Sequence, residues 1–282
     1  MTLPSLAVTG ATGALGGLVA RNLANRGVPQ RLVVRSPERA PALDGAHAVA
    51  AAYRDRAAAE RALDGVQTLF MVSASESADR LEEHRTFVDA AADAGVQHVV
   101  YTSFYGAAPD CTFTLGRDHF GTEEHIRSRG LEYTFLRDSL YLDFLPMVVG
   151  EDGVIRGPAG DGRLAAVARQ DVADVAVAVL LDPESHRGAT YDLTGPESLS
   201  FSEVASILTE ATGREVTYHD ETDEEAYASR RRWDAPQWQY DAWVSTYTAV
   251  RAGEIETVTD DVRRITGHDP MSLRDVLASP VT

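Results

Sequence analysis

The hydrophobic positions in the first half of the chain follow two alternating patterns. Short apolar and β-branched runs, which are typical of buried strands, occupy positions 6–9, 31–34, 46–50, 68–72, 98–102 and 133–136. Alanine-rich stretches with apolar residues at the helical period lie between them, at 15–26, 56–63, 77–94 and 117–128. Alternating strands and helices predict βαβ units, and therefore a parallel sheet with strands buried on both faces.

Glycines mark the expected ends of these helices. A glycine follows each of several helical stretches, and glycine readily adopts the left-handed conformation that ends a helix. The positions are Gly27, Gly65, Gly95 and Gly130. The helix boundaries therefore agree with the periodicity.

After about residue 138 the alternation ends. Positions 150–162 are rich in turn-forming residues and predict a loop or hairpin, whereas 171–181 and 189–193 predict one more helix and one more strand of the same sheet. Ser200 and Glu203 have the spacing of a capping box, which predicts a helix that ends at Gly213. A short strand at 215–219 and an acidic, aromatic, helical tail are expected to follow.

These elements predict an α/β fold, a Rossmann-like doubly wound parallel sheet with a smaller, discontinuous α+β C-terminal domain. The sheet domain is expected to comprise 1–138 and about 165–195. The second domain is expected to comprise about 139–164 and 196–282, and to bind a substrate.

A glycine-rich loop, Thr-Gly-Ala-Thr-Gly-Ala-Leu-Gly-Gly at 9–17, joins the first strand to the first helix. Gly10 permits the tight turn, Gly13 lets a pyrophosphate approach the backbone, and Gly16 allows close packing of helix on strand. The helix N-terminus attracts the anion. A glycine-rich turn without a ligand is the alternative. The residues predicted to bind a dinucleotide here are Gly10, Thr12, Gly13, Ala14 and Leu15.

The charged composition excludes several classes of protein. All 26 basic residues of the 282-residue chain are arginine, so pyridoxal-type Schiff-base enzymes, P-loop nucleotidases and protein kinases, which all require a lysine, are excluded. The 43 acidic residues give a net charge of −17, which repels polyanions and argues against a nucleic-acid partner.

Other features predict a cytoplasmic protein. The single cysteine, Cys111, has no partner for an internal disulfide and is expected to be an inert small residue in a loop. The N-terminus lacks the pattern of a signal peptide, and the apolar runs are too short to span a bilayer, so no membrane association is expected. The histidines lack metal-ligand spacing, so no metal site is expected. The chain is expected to be a monomer or a homodimer.

Further motifs accompany the glycine loop. They are Val-Arg-Ser-Pro at 34–37, Tyr-Thr-Ser at 101–103, His-Phe-Gly-Thr-Glu at 119–123, Leu-Arg-Asp at 136–138 and Asp-Val-Arg-Arg-Ile-Thr-Gly at 261–267. With these motifs the chain resembles the short-chain dehydrogenase/reductase superfamily, specifically its atypical NmrA-like branch. The resemblance covers almost the whole chain and extends to the NADPH-dependent quinone oxidoreductases of that branch.

The residue after the second strand distinguishes the two nicotinamide dinucleotides. NAD-preferring folds usually have an acidic residue there, whereas this chain has Arg35, which binds a 2′-phosphate favourably. NADP(H) is therefore favoured, and NAD(H) stays open if Arg35 only stacks on the adenine. Ser73, Ala74 and Ser75 follow the fourth strand. By resemblance they lie beside the nicotinamide-proximal ribose, although small residues also occur simply where strands end.

The helix after the fifth strand carries an unusual pair of residues. The main short-chain reductases have Tyr-x-x-x-Lys there, which a chain without lysine lacks. His119 and Glu123 stand on that helix, four residues apart and therefore on one face. His119 is a candidate to orient the cofactor or relay a proton, with an ordinary helix histidine as the alternative. Glu123 and Ser103 are included among the candidate cofactor-binding residues.

Without the tyrosine–lysine pair, a conjugated acceptor suits the chain better than an isolated ketone. Hydride transfer to a ketone builds an alkoxide that needs a positioned acid, whereas a quinone or an aromatic polyketide-like acceptor delocalises the charge. The sequence thus predicts an NADP(H)-dependent oxidoreductase acting on a small aromatic or quinone-like substrate. The alternative is a non-catalytic NADP(H) sensor that acts through protein partners.

Candidate acids and substrate contacts follow the fifth and sixth strands or lie in the tail. Tyr105 is a candidate proton donor, with a solvated loop tyrosine as the alternative, and Phe104 beside it is a candidate substrate contact. The resemblance makes Asp138 a candidate catalytic residue and Tyr141 a candidate substrate contact. The aromatic tail is read either as a hydrophobic seam between the domains or as a lid for an aromatic substrate, with Trp233 and Trp238 as the substrate contacts. Residues 230–232, three arginines, are expected to be a solvated charge run.

Overall fold

A computed structural model describes residues 3–279 of the protein. The described residues form two compact units. The first unit comprises 3–103, 118–137 and 169–191, and the second unit comprises 104–117, 138–168 and 192–279. The assignment of one ligand to each predicted domain, with the boundaries given above, stays a prediction.

The strands and helices follow the order that the hydrophobic pattern predicts. The strands are β1 (Leu6–Thr9), β2 (Gln30–Val34), β3 (Ala46–Ala50), β4 (Thr68–Met71), β5 (His98–Phe104), β6 (Glu132–Asp138), β7 (Val154–Gly157), β8 (Arg163–Leu164), β9 (Ala189–Leu193), β10 (Leu199–Ser200) and β11 (Thr217–Asp220). The helices are α1 (Ala14–Asn25), α2 (Arg56–Leu63), α3 (Arg80–Asp93), α4 (Thr114–Ser128), α5 (Arg169–Leu181), α6 (Phe201–Thr212), α7 (Asp223–Arg230), α8 (Gln237–Arg251), α9 (Asp261–Thr266) and α10 (Leu273–Ala278). Short 3-10 helices occur at Pro37–Arg39, Leu142–Val148 and Pro183–His186.

Seven strands form one sheet in the order β3-β2-β1-β4-β5-β6-β9. The neighbours β1 and β2, β1 and β4, β2 and β3, and β4 and β5 pair in parallel. The chain moves outward from β1 to β3 and then returns to the other side of β1 at β4. This reversal is the point at which doubly wound sheets bind ligands, beyond the carboxyl ends of the strands. The predicted Rossmann-like α/β fold is confirmed.

The core of the first unit lies against both faces of this sheet. On one face, Leu63 of α2, Phe87 of α3 and Ile126 of α4 are fully buried in one cluster with strand residues. Elsewhere in the unit, α1 contacts α5, and Leu23 of α1 and Val175 of α5 are also fully buried. Helices that present apolar stripes to the strands explain why the alanine-rich periodicity predicted the elements correctly.

The third strand departs from the prediction of burial on both faces. Three of the five residues of β3 are exposed, and the other two are half-buried. β3 is the edge strand, and its connection from β2 contains only the 3-10 helix Pro37–Arg39. A βαβ crossover with a full helix would have covered more of it.

The second unit contains two small strand pairs and most of the later helices. β7 pairs with β11 in parallel, and β8 pairs with β10 in an antiparallel arrangement. The capping box of Ser200 and Glu203 starts α6, and the helix ends at Gly213 with φ of 68°, as predicted. No helix within residues 3–279 combines the length and apolar character needed to cross a bilayer.

The prediction of a solvated charge run at 230–232 is wrong for its first residue. Arg230 is 6% exposed, and its guanidinium donates to the carboxylate of Glu221 at 2.9 Å. The same guanidinium lies 5.2 Å from the centre of the Tyr247 ring. Arg230 is the last residue of α7, and its position on the helix turns it inward, whereas Arg231 and Arg232 are exposed.

Candidate cofactor site and acceptor residues

The glycine loop has the geometry that its spacing predicts. Gly10 has φ of 66°, and its carbonyl accepts a hydrogen bond from the Gly13 amide at 2.8 Å. A Cβ at Gly16 would lie 2.4 Å from the Gly10 carbonyl oxygen, which is closer than van der Waals contact permits. Only glycine therefore allows α1 to pack this closely on the end of β1.

The start of α1 is suited to an anion. Gly13 is the N-cap residue, no side chain caps the helix, and the first turn contains no acidic residue. Thr12, Gly13 and Ala14 are exposed, whereas the Leu15 side chain is buried, so only the backbone of Leu15 faces the loop. The amide groups of a first helical turn lack partners within the helix and carry a partial positive charge. The pyrophosphate of a dinucleotide fits this cradle.

Arg35 lies at the carboxyl end of β2, the neighbour of β1. Its side chain is exposed, and it makes no hydrogen bond or ion pair with any residue in the described part of the chain. Because adjacent parallel strands end at the same edge of the sheet, Arg35 and the glycine loop emerge together. The guanidinium is thus available to an anionic group of a ligand.

The loop at residues 73–75 is held to the first unit through its backbone. The amide of Ser73 donates to the Thr102 hydroxyl at 2.8 Å. The amide of Ala74 donates to His84 Nε2 at 2.8 Å, and the Ala74 carbonyl accepts from Arg80 Nε at 3.0 Å. This loop follows β4, so it lies at the same edge of the sheet as the glycine loop.

His119 lies in a buried polar network of the first unit. It is 7% exposed, its Nε2 is 2.9 Å from an Arg80 guanidinium nitrogen, and its Nδ1 is 3.1 Å from the Tyr101 hydroxyl. Burial, with a smaller contribution from Arg80, holds the pKa of His119 well below its ordinary value. The imidazole is therefore neutral near pH 7, and its catalytic role stays a prediction.

Glu123 and Ser103 lie in the interior, and both are fully buried. The Ser103 hydroxyl donates to the Glu123 carboxylate at 2.6 Å. The same carboxylate accepts from Arg137 Nε at 2.8 Å and from a terminal guanidinium nitrogen at 2.7 Å. This bidentate geometry stabilises a buried carboxylate. Their assignment to cofactor binding stays a prediction.

The second unit brings three of the acid and substrate candidates together. The Tyr105 amide donates to the Asp138 carbonyl at 3.0 Å, and the Tyr141 hydroxyl donates to the Asp138 carboxylate. The Tyr105 hydroxyl donates to the Thr257 carbonyl at 3.2 Å, and burial raises the pKa of Tyr105. Phe104 is buried, with its ring stacked at a tilt on another phenylalanine.

The two candidate tryptophans lie in or beside α8 of the second unit. Trp233 is 48% exposed, and its ring contacts Trp243 edge-on at 5.8 Å. Tyr240 contacts the same Trp243 ring at 5.9 Å, while Trp238 is half-buried. The aromatic residues thus form a local cluster, and their role as a lid or a seam stays a prediction.

The comparison with known proteins identifies the family. The model of the NmrA-like family matches residues 4–231, and the matched region includes the glycine loop and Arg35. The chain belongs to the NmrA-like family. The resemblance inferred from the motifs is therefore confirmed.

The relatives of this NmrA-like protein include several reductases. It is 32% identical over 278 residues to quinone oxidoreductase 2 of Escherichia coli, covering 96% of each chain. It is 31% identical to the NAD(P)H azoreductase of Xenophilus azovorans, covering 92% of each. It also resembles the Citrobacter sp. triphenylmethane reductase solved with NADP(H), at 32% identity and a TM-score of 0.86, covering 97% of this chain and 99% of that one.

A regulator of the same family is more distant. The negative transcriptional regulator NmrA, solved with NADP, is 21% identical, with a TM-score of 0.74. At this identity the likeness shows a common fold alone.

Some buried polar residues near the glycine loop were not predicted from the sequence. Arg80 and His84 lie four residues apart on α3, on a face otherwise occupied by apolar residues, and this pattern was a usable signal. Tyr53 carried no such signal, although its hydroxyl donates to the Val72 carbonyl at 2.6 Å and shares a hydrogen bond with Thr9 Oγ1 at 2.7 Å. Tyr53 thus links the end of β1 to the residue that follows β4, whereas Arg80 and His84 contact Ala74.

Proposed function

We propose that this NmrA-like protein is an NADP(H)-dependent oxidoreductase that transfers hydride to a conjugated carbonyl acceptor, such as a quinone or an aromatic polyketide-like metabolite. The observation that carries the proposal is the uncapped start of α1 beside an exposed Arg35. The names of the relatives support it, because quinones, azo compounds and triphenylmethane dyes are all extended conjugated acceptors.

The first unit supplies the groups that would hold the cofactor. The backbone from Thr12 to Leu15 binds the pyrophosphate, and Arg35 binds the 2′-phosphate through charge-assisted hydrogen bonds. The 73–75 loop lies beside the ribose nearest the nicotinamide. NAD(H), which lacks the 2′-phosphate, binds more weakly at such a site. When bound, the nicotinamide supplies the hydride.

The choice of acceptor follows from the residues that could supply a proton. The chain contains no lysine, so no tyrosine is activated in the manner of the main short-chain reductases. A conjugated acceptor disperses the charge of the arriving hydride, and its oxygens can take protons from water. Where an acceptor needs a positioned donor, the Tyr141 hydroxyl with its Asp138 partner is the proposed source.

The remaining candidates have supporting roles in this proposal. His119 is buried and neutral, so it orients its neighbours and does not deliver a proton. The Tyr105 hydroxyl already donates to the Thr257 carbonyl and serves as a second candidate donor. Phe104, Trp233 and Trp238 supply apolar surface for an aromatic acceptor.

Steady-state oxidation of NADPH tests this function. We expect turnover with benzoquinones and naphthoquinones, and much slower turnover with a saturated ketone or with no acceptor. NADH should be a poorer donor at equal concentration. The same preparation should be titrated with NADPH by fluorescence, so that binding and turnover are measured separately.

Two outcomes would contradict the proposal in different ways. Tight NADPH binding without turnover on quinones, azo dyes or enones would favour the non-catalytic NADP(H) sensor acting through protein partners. Absence of NADPH binding would contradict both the enzyme and the sensor, because each requires the dinucleotide site in the first unit.

A further inference from the structure

Two side chains of α3 hold the peptide groups of Ala74 from both sides. His84 Nε2 accepts from the Ala74 amide at 2.8 Å, and Arg80 Nε donates to the Ala74 carbonyl at 3.0 Å. Arg80 is 4% exposed and His84 is fully buried. A backbone segment held at both its donor and its acceptor has little freedom to change conformation.

The hydrogen bonds of His84 fix its protonation. Because Nε2 accepts from the Ala74 amide, the ring proton is on Nδ1, which donates to the Thr122 hydroxyl at 2.8 Å. That hydroxyl donates in turn to the Asp118 carbonyl at 2.7 Å. Burial and the nearby Arg80 keep the pKa of His84 well below its ordinary value. His84 is thus a neutral acceptor in a fixed tautomer.

Arg80 joins this arrangement to α4. One terminal nitrogen of its guanidinium lies 2.9 Å from His119 Nε2, and the other lies 3.5 Å from the Asp118 carboxylate. An arginine presents its donors in a rigid planar fork, so contacts to His119 and Asp118 also fix the direction of Nε. The carbonyl of Ala74 therefore meets a donor that is itself held from two sides.

The segment held in this way is connected to the glycine loop. The Val72 amide donates to Thr9 Oγ1 at 2.8 Å, and a Cβ at Gly10 would lie 3.0 Å from the Val72 side chain. The Ser73 amide donates to Thr102 Oγ1. Both loops thus belong to one hydrogen-bonded edge of the first unit, and their relative positions are set before any ligand arrives.

We propose that Arg80 and His84 are positioning residues for the dinucleotide, which hold the 73–75 loop in the conformation that receives the nicotinamide half. This inference rests on the proposed function. Neither side chain needs to touch the ligand. A loop that is ordered in advance loses less conformational entropy on binding, so the affinity for the dinucleotide depends on these two buried residues.

The substitution His84→Phe tests the proposal, with His98→Phe as the matched control. His98 is also buried, at 3% exposure, and its Nε2 is 2.9 Å from the Thr134 hydroxyl. It is the first residue of β5, so it lies at the amino ends of the strands, opposite the carboxyl ends where the glycine loop lies. We expect His84→Phe to raise the Kd for NADPH about tenfold, the effect of roughly one lost hydrogen bond. His98→Phe should lower the Tm and leave the Kd unchanged.

Hydrogen exchange and a conservative variant complete the test. The Ala74 amide should exchange slowly in the wild-type protein and in His98→Phe, and quickly in His84→Phe. His84→Gln retains an acceptor near the position of Nε2 and should recover most of the NADPH affinity. If His84→Phe fails to fold, Arg80→Gln with the same measurements replaces it.

The outcomes separate this inference from the function on which it rests. Wild-type NADPH binding with an unchanged Kd in the His84 and Arg80 variants would overturn the inference alone. So would an equal loss of affinity in the His98 control, because the effect would then follow general destabilisation. Failure of the wild-type protein to bind NADPH would overturn the proposed function first.

Discussion

At the scale of single residues, we propose that the choice between dinucleotides depends on Arg35. It is exposed at the end of β2 and makes no hydrogen bond or ion pair among residues 3–279. An acidic residue at this place would bind the ribose hydroxyl of NAD, whereas an arginine favours the additional phosphate of NADP. In the proposed site, Arg35 is thus the side chain that sets which cofactor the backbone cradle prefers.

Substitution of Arg35 by alanine should weaken NADPH binding and leave NADH binding nearly unchanged. Hydrogen bonds to charged groups contribute about 1.5–3 kcal/mol, so the Kd for NADPH should rise by roughly tenfold or more. Fluorescence titration with both dinucleotides measures the difference.

Arg26→Ala is the control for Arg35→Ala, because it removes the same charge at the far end of α1. It should leave both affinities unchanged. An equal loss of NADPH affinity in the two variants would mean that Arg35 acts only through the net charge.

The buried polar residues show that helical spacing does not predict the partners of a side chain. His119 and Glu123 are predicted functional residues because they stand on the helix where the tyrosine–lysine pair is expected. The structure gives each of them interior partners, Arg80 and Tyr101 for His119, and Ser103 and Arg137 for Glu123. A spacing of four residues predicts a shared helix face, but it does not say what that face contacts.

At the scale of elements, the junction of β1 and α1 was predictable in detail. The three loop glycines have distinct structural roles, and each role depends on the local backbone conformation. Gly10 makes the left-handed turn, Gly13 begins the helix in an extended conformation, and Gly16 permits the close contact. The spacing of the glycines, together with the strand before them and the helix after them, was therefore sufficient to predict the geometry of this turn.

Alanine substitutions at Gly16 and Gly13 should separate packing from ligand binding. A Cβ at Gly16 would lie 2.4 Å from a backbone oxygen, so Gly16→Ala should lower the free energy of unfolding by about 2 kcal/mol, a typical cost of overpacking. Urea denaturation measures this loss.

Gly13→Ala is the matched variant for Gly16→Ala. Its backbone is extended, with φ of −98°, and its Cβ would lie 3.3 Å from the Gly10 oxygen. We expect a smaller loss of unfolding free energy than in Gly16→Ala, because the contact is less severe, and weaker NADPH binding, because the methyl group stands where the pyrophosphate approaches. A wild-type unfolding midpoint in Gly16→Ala would contradict this assignment of roles.

At the scale of the whole molecule, three buried histidines make stability depend on pH. Burial lowers the pKa of His84, His98 and His119 in the folded state below the value of 6.5 expected in the unfolded chain. Below that pH the unfolded state binds more protons than the folded state does. Stability should therefore fall as the pH drops through 6.5 and should vary little above it.

Urea unfolding at about pH 7.5 and about pH 5 should show this loss. His98→Phe removes one of the three groups, so its stability should change less between the two pH values. Carboxylates with lowered pKa values, such as Glu203, act mainly below their unfolded value of 4.5 and contribute little at pH 5. Equal stability at both pH values would contradict the prediction.

Patterns along the chain were enough to predict the kinds of elements, the α/β class, the family and the geometry of the glycine loop. These properties follow from periodicity along the chain and from the backbone freedom of glycine, and both are local. The same local patterns placed Arg35 after β2 and the capping box at the start of α6.

Which polar side chains are interior depends on tertiary contacts. Arg80, His84 and Arg230 are buried, and residues distant in sequence, His119, Thr122 and Arg156, hydrogen-bond to them in turn. Likewise β3 is exposed because it is the edge of the sheet, although its apolar run is indistinguishable from that of a central strand. Burial and hydrogen-bond partners depend on contacts between distant segments of the chain. The local pattern of residues does not predict these contacts.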